Sequence, residues 1–77
     1  MHTAYVLINT EPEKMPEVVN DIRKIEGVKE AHMVYGVYDI VVTVKSDTMD
    51  KLKDIVTWNI RRLKGIRSTL TMIVIEG

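Results

Sequence analysis

The residues best placed for chemistry stand around one glycine. Tyr35, Gly36, Val37, Tyr38 and Asp39 read as a chain reversal carrying a lone acid, with an uncharged run from Ile40 to Val44 behind it. A carboxylate at the start of a strand that should be buried needs a partner, because an isolated charge out of water is costly. Two partners fit. Asp39 can anchor a ligand's ammonium group, which it would hold more strongly in partly dry surroundings than in water. It can equally cap the hairpin through backbone amides. Thr69 and Thr71 stand two apart. On a strand their hydroxyls share one face and offer short neutral hydrogen-bonding groups to a polar ligand, although packing alone accounts for threonine in a strand more simply. Tyr35 and Tyr38 flank the turn, where their rings can line a small-molecule pocket or close a core or an interface.

Other chemistry finds little support. His2 and His32 lie far apart, and no cysteine or acid at ligand spacing accompanies them, so neither a metal nor another cofactor is expected. No nucleophile, base and acid assemble into a recognisable motif, which makes catalysis the weaker reading. Trp58, the sole tryptophan, is expected to pack against a neighbour. Arg61, Arg62, Lys64 and Arg67 gather where the end of a helix favours positive charge, and they lack the interleaved aromatics of a nucleic-acid surface.

Composition narrows the partners further. Eleven basic and eleven acidic residues leave a formal net charge of zero, so nothing favours phosphate backbones or anionic membranes, and nucleic-acid binding by this chain alone is disfavoured. The first residues lack a basic leader, and their apolar run is too short for a signal or a membrane segment. A cytoplasmic location is expected. The 77 residues make one domain, 1–77, without cysteine. A domain this small gains stability from disulfides, metals or association, and only association remains.

The elements that must position these residues follow from hydrophobic period. Residues 3–9 form a β-branched and aromatic run, apolar on both alternations, as in a central strand. Met15, Val18, Val19, Ile22 and Ile25 then recur at helical steps. They predict an amphipathic helix over 13–26, with Asn9 or Thr10 as its cap, Pro12 and Pro16 near its first turn and Gly27 closing it. Residues 28–35 and 38–45 make a hairpin that reverses at Gly36 and Val37. Ser46, Asp47 and Thr48 are cap candidates for a second helix that carries Met49, Leu52, Ile55, Val56 and Leu63 and stops at Gly65. Residues 66–75 are the last strand. The order β-α-β-β-α-β specifies an α+β, ferredoxin-like fold: a four-stranded antiparallel sheet with two helices on one face.

Two helices cover only one face of such a sheet. Alternation assigns Val6, Ile40, Val42, Leu70, Met72 and Val74 to the helix side, and Tyr5, Leu7, Val41, Thr43, Thr69, Thr71, Ile73 and Ile75 to the other. That second face is too apolar for water. Packing two such sheets face to face would form a dimeric α+β barrel, so at least a homodimer is expected.

The hairpin Val34-Tyr35-Gly36-Val37-Tyr38-Asp39-Ile40-Val41, followed by a helix and then Gly65-Ile66-Arg67-Ser68-Thr69-Leu70-Thr71, resembles the effector-binding domain of the Lrp/AsnC family of transcription regulators. That domain, also called the regulation of amino acid metabolism (RAM) domain, is marked by a Gly-x-Tyr/Phe-Asp turn and a Thr-x-Thr last strand, and the resemblance covers nearly the whole chain. It implies dimers formed through sheet faces, often rings of four dimers making an octamer, and a small amino acid held between neighbouring dimers. Carried over by position, Tyr35, Gly36, Val37, Tyr38 and Asp39 form the turn wall of the effector site, and Thr69 and Thr71 meet it from the last strand. The family's regulators carry an N-terminal helix-turn-helix, whereas this chain begins at its first strand. The resemblance therefore implies a stand-alone effector domain, either a free amino-acid sensor or a partner that co-assembles with full-length Lrp/AsnC regulators.

Two other classes share this architecture. A dimeric α+β-barrel enzyme of the small monooxygenase kind would need a polar catalytic cavity in each protomer, for which the chain offers little. The other is a ligand-free structural assembly module, or an amino-acid-binding domain of the ACT type, in which ligands sit at a different interface. Amino-acid binding and the effect of Asp39→Ala separate these readings.

Overall fold

The computed structural model describes residues 1–75 of the 77. β1 (His2–Thr10) passes through a 3-10 turn (Pro12–Lys14) into α1 (Met15–Arg23); β2 (Val28–Met33) and β3 (Ile40–Ser46) follow; α2 (Met49–Asp54) runs directly into a π-helical segment (Ile55–Ile60), and β4 (Ile66–Ile73) completes the fold. The strands form one antiparallel sheet in the order β2-β3-β1-β4. The chain is thus α+β, with the expected order of elements. Among the described residues no helix is long and apolar enough to cross a membrane.

The core lies between the helices and one face of the sheet. Ala4, Val6 and Ile8 of β1 and Ile40, Val42 and Val44 of β3 are fully buried, and Val18, Val19, Ile22, Leu52, Val56 and Ile60 pack over them from the helices. Every one of these side chains is aliphatic, so the two central strands supply a dry, β-branched platform.

Helix ends follow local chemistry, and several differ from the sequence expectation. Pro12 opens the 3-10 turn and Pro16 sits in the first turn of α1, where a missing N–H leaves nothing unsatisfied. Asn9 and Thr10 do not cap this helix. The Asn9 side chain donates to Ser68 Oγ at 3.3 Å, and Glu11 takes the position before the turn without a side-chain bond. α1 ends at Arg23 rather than at residue 26, because the chain tightens there into a turn closed by Gly27 at φ +98°. Thr48 does cap α2, its Oγ1 accepting from the Lys51 N–H at 3.2 Å. The expected second helix is continuous through residue 60, but it widens at Ile55, and the Arg61 N–H reaches back to the Val56 carbonyl.

The hairpin is looser than a two-residue reversal. β2 stops at Met33 and β3 starts at Ile40, leaving residues 34–39 as a loop closed by the Val34 N–H donating to the Asp39 carbonyl at 2.9 Å. Tyr35 and Val37 stand in solvent, so their side chains do not hold the strands together.

The facing of β4 is the main correction. β4 pairs with β1 so that Leu70 lies opposite Leu7 and Met72 opposite Tyr5, while Thr69 lies opposite Ile8 and Thr71 opposite Val6. Directly opposed residues share a face. Leu70 and Met72 therefore belong to the open side, and Thr69, Thr71 and Ile73 to the helix side. Alternation alone placed the bulkier residues inward, yet the helices lie over β1, β2 and β3 and leave the inward side of β4 largely uncovered, so small polar residues are tolerated there. The open face is apolar nonetheless: Tyr5, Leu70 and Met72 are each more than 40% exposed, and Leu7, Val41 and Thr43 lie among them. Glu30 and His32, opposite Thr43 and Val41, form its polar margin.

Candidate functional site

Asp39 is the structural hinge of the candidate loop. Its N–H donates to the Ile8 carbonyl at 2.9 Å, its carbonyl accepts from Val34, and its Oδ2 accepts from the Thr10 N–H at 2.9 Å. One residue thus ties the loop to the end of β1. A carboxylate accepting a backbone amide makes a stronger bond than a neutral acceptor would. The expected side-chain cap of the hairpin is replaced by a bond across to β1: the carboxylate accepts the Thr10 amide. Among the described residues Oδ1 has no hydrogen-bond partner.

Thr10 is a part of the site that sequence reading offered only as a helix cap. It is 3% exposed, and its hydroxyl finds no partner among the described residues. The signal that could have identified it is the pairing itself: Ile8 sits opposite Ile40, which brings the end of β1 alongside the start of β3.

The loop tip points away from the molecule. Tyr35 is fully exposed and Val37 is 86% exposed, while Tyr38 is half-buried beside Asp39. Gly36 has φ +155°, and a Cβ there would meet no atom within 4 Å, so its backbone conformation and not its surroundings selects glycine. Two large apolar side chains in water leave the loop open until another surface covers it.

Thr69 lies at the same end of the sheet as Asp39 but across β1, and Thr71, opposite Val6, sits at mid-strand. Thr69 is the ladder partner of Ile8 on one side, and the Asp39 N–H binds the Ile8 carbonyl on the other. The two groups are therefore separated by roughly two strand spacings, about 10 Å. Within one chain the loop and the threonine pair do not form one closed pocket. Trp58, expected to pack, is 63% exposed. Among the described residues no group of His, Asp or Glu is arranged to hold a metal ion.

With this arrangement in view, comparison with known proteins decides the family. The model of the Lrp/AsnC ligand binding domain matches residues 3–77. This chain belongs to the Lrp/AsnC ligand-binding domain family. A helix-turn-helix-type transcriptional regulator of Pyrococcus furiosus is 38% identical over 74 residues, covering 92% of this chain and 49% of that protein. The chain spans about half the length of the regulators it matches. The FFRP-DM1 crystal structure superimposes with a TM-score of 0.91 at 41% identity, covering 97% of this chain and 100% of that one. Homocitrate synthase of Saccharolobus islandicus is 41% identical over 59 residues, which are 77% of this chain but only 13% of the enzyme. The Lrp/AsnC domain is thus similar to parts of proteins with quite different remaining segments.

Proposed function

We propose that this Lrp/AsnC domain is a non-catalytic effector module that binds a small amino acid at an interface between copies and couples occupancy to assembly. The observation that carries the reading is the match of residues 3–77 to a ligand-binding domain. The exposed loop tip beside Asp39 supports it, because Tyr35 and Val37 would be covered in an assembly and would then wall a ligand. Asp39 would take the ligand's ammonium group on Oδ1 while Oδ2 stays on the Thr10 amide. Thr69 and Thr71 would serve the same ligand from a neighbouring copy, since β1 separates them from Asp39 within one chain.

The open face of the sheet supports a homodimer formed through it, and rings of such dimers would bring loops of different dimers together. Association with full-length Lrp/AsnC regulators through the same surfaces is the regulatory form of this proposal. Coupling requires that the ligand bind one assembly state better than another.

The test is a thermal-shift screen against the twenty amino acids, with mass measured by light scattering in each condition. A shift for one or a few amino acids accompanied by a change of mass is expected. A stable oligomer that no amino acid shifts would instead favour a ligand-free assembly module, the reading to which the apolar open face by itself leads.

A further inference from the structure

A groove of about 190 Å³ lies between α2 with its π-helical continuation and the uncovered inward side of β4. Its floor is apolar, formed by Leu52 and Val56 from the helix and Ile73 from the strand. Lys53, Thr57 and Arg61 line its outer rim, and Thr71 lies across from them. Among the described residues no acidic side chain lines it. Among the described residues the ion pairs are Lys14 with Glu17 and His32 with Glu30, so neither rim cation is engaged by a carboxylate.

The π-helical segment explains why these groups line up. Leu52, Val56 and Ile60 recur at every fourth position and are buried; Lys53, Thr57 and Arg61 recur at the same step one residue on and are exposed. In an uninterrupted α-helix of 3.6 residues per turn, such a series drifts steadily around the cylinder. The wider turn marked by the Arg61 N–H to Val56 carbonyl bond offsets that drift and keeps the stripe beside the strand.

We infer that this groove binds a small monocarboxylate with a short apolar chain. The carboxylate is held at the rim by Arg61, whose planar fork matches its two oxygens, and by Lys53. Thr57 and Thr71 offer hydroxyls to the same group, and the chain lies on Leu52, Val56 and Ile73. A concave surface that is mainly apolar with a few convergent polar groups has the general character of a small-molecule site, and two cations without an acid select the sign of the ligand's charge. The inference goes beyond the amino-acid reading and assigns a second ligand class to a separate groove. It shares Thr71 with the amino-acid site and does not use Asp39.

Isovalerate is the probe, because it has the chain and the carboxylate but no ammonium group for Asp39 to hold. Titrated into the full 15N-labelled chain, it is expected to shift the amides of Val56, Thr57, Arg61, Thr71 and Ile73 and to leave Val34 to Asp39 unmoved. The double variant Lys53→Gln with Arg61→Gln, both at exposed positions, should bind at least about tenfold more weakly, in line with the loss of a charge-assisted bond. Isopentylamine, with the same chain and the opposite charge, should leave the groove amides in place. The inference is overturned if isovalerate binds the double variant as tightly as the native chain, if it shifts only other residues, or if inorganic phosphate shifts the groove equally. It is also overturned if groove amides move with protein concentration alone while isovalerate has no effect, since a second copy would then be the occupant. Failure here leaves the amino-acid reading standing, because that reading is measured at the 34–39 loop.

Discussion

At the scale of single residues, the structural bond made by Asp39 can be separated from its proposed ligand role. Asp39→Asn keeps an oxygen for the Thr10 amide but removes the charge that an ammonium group needs. The variant should fold with stability within about 1 kcal/mol of the native chain, as expected for replacing a charged by a neutral acceptor, and lose most amino-acid affinity in calorimetric titration. Asp39→Ala removes both and should be less stable by about 1–2 kcal/mol in urea unfolding. Gly27 is a second test. At φ +98°, with a Cβ that would stand 2.5 Å from Ile55 Cδ1 and 3.3 Å from the Lys45 carbonyl oxygen, Gly27→Ala should destabilise the fold by about 1–3 kcal/mol. The importance of Gly27 as a closing residue was legible, because a glycine directly after an apolar period marks a left-handed stop. The partner of Asp39 was not. It comes from a strand almost thirty residues away (separation 29), and only pairing brings it close.

At the scale of elements, hydrophobic period carried most of the information. Helix positions Val18, Val19, Ile22, Leu52 and Val56 were all readable from steps of three and four, and all are buried. Leu52→Ala should cost about 2–5 kcal/mol in thermal or urea unfolding, because the side chain is wholly enclosed. Thr48→Ala should cost about 1 kcal/mol through the lost cap to Lys51. β4 shows where the period fails. From Thr69 to Ile73 threonines alternate with aliphatic residues, so composition favoured turning the large ones inward. Its true facing depends on which strand the helices leave bare, and that is a property of the assembled layers rather than of the strand. The widened turn beginning at Ile55 likewise had no local sign, since Ile55 and Val56 fit an ordinary helix period.

At the scale of the whole molecule, one face of the sheet is sealed by helices and the other is left to water. Tyr5, Leu70 and Met72 make that open face a surface awaiting cover. Replacing Leu70 by Glu should leave the fold intact, because Leu70 is 46% exposed, while lowering the mass measured by light scattering to that of a monomer. An unchanged oligomer would place the interface elsewhere. Length and the absence of cysteine pointed to association, which the Leu70→Glu variant tests, and the apolar character of the open face holds despite the changed facing of β4 because both of its alternations are apolar or small. That β1 keeps the loop and the threonine pair apart within one chain was not legible, because the separation comes from the strand order.

The most direct test is calorimetric titration of the native chain and of Asp39→Asn with whichever amino acid gives the largest thermal shift. Saturable binding to the native chain that is lost, or weakened at least about tenfold, in Asp39→Asn is the predicted result. Equal affinity in both proteins would contradict an effector site built on Asp39.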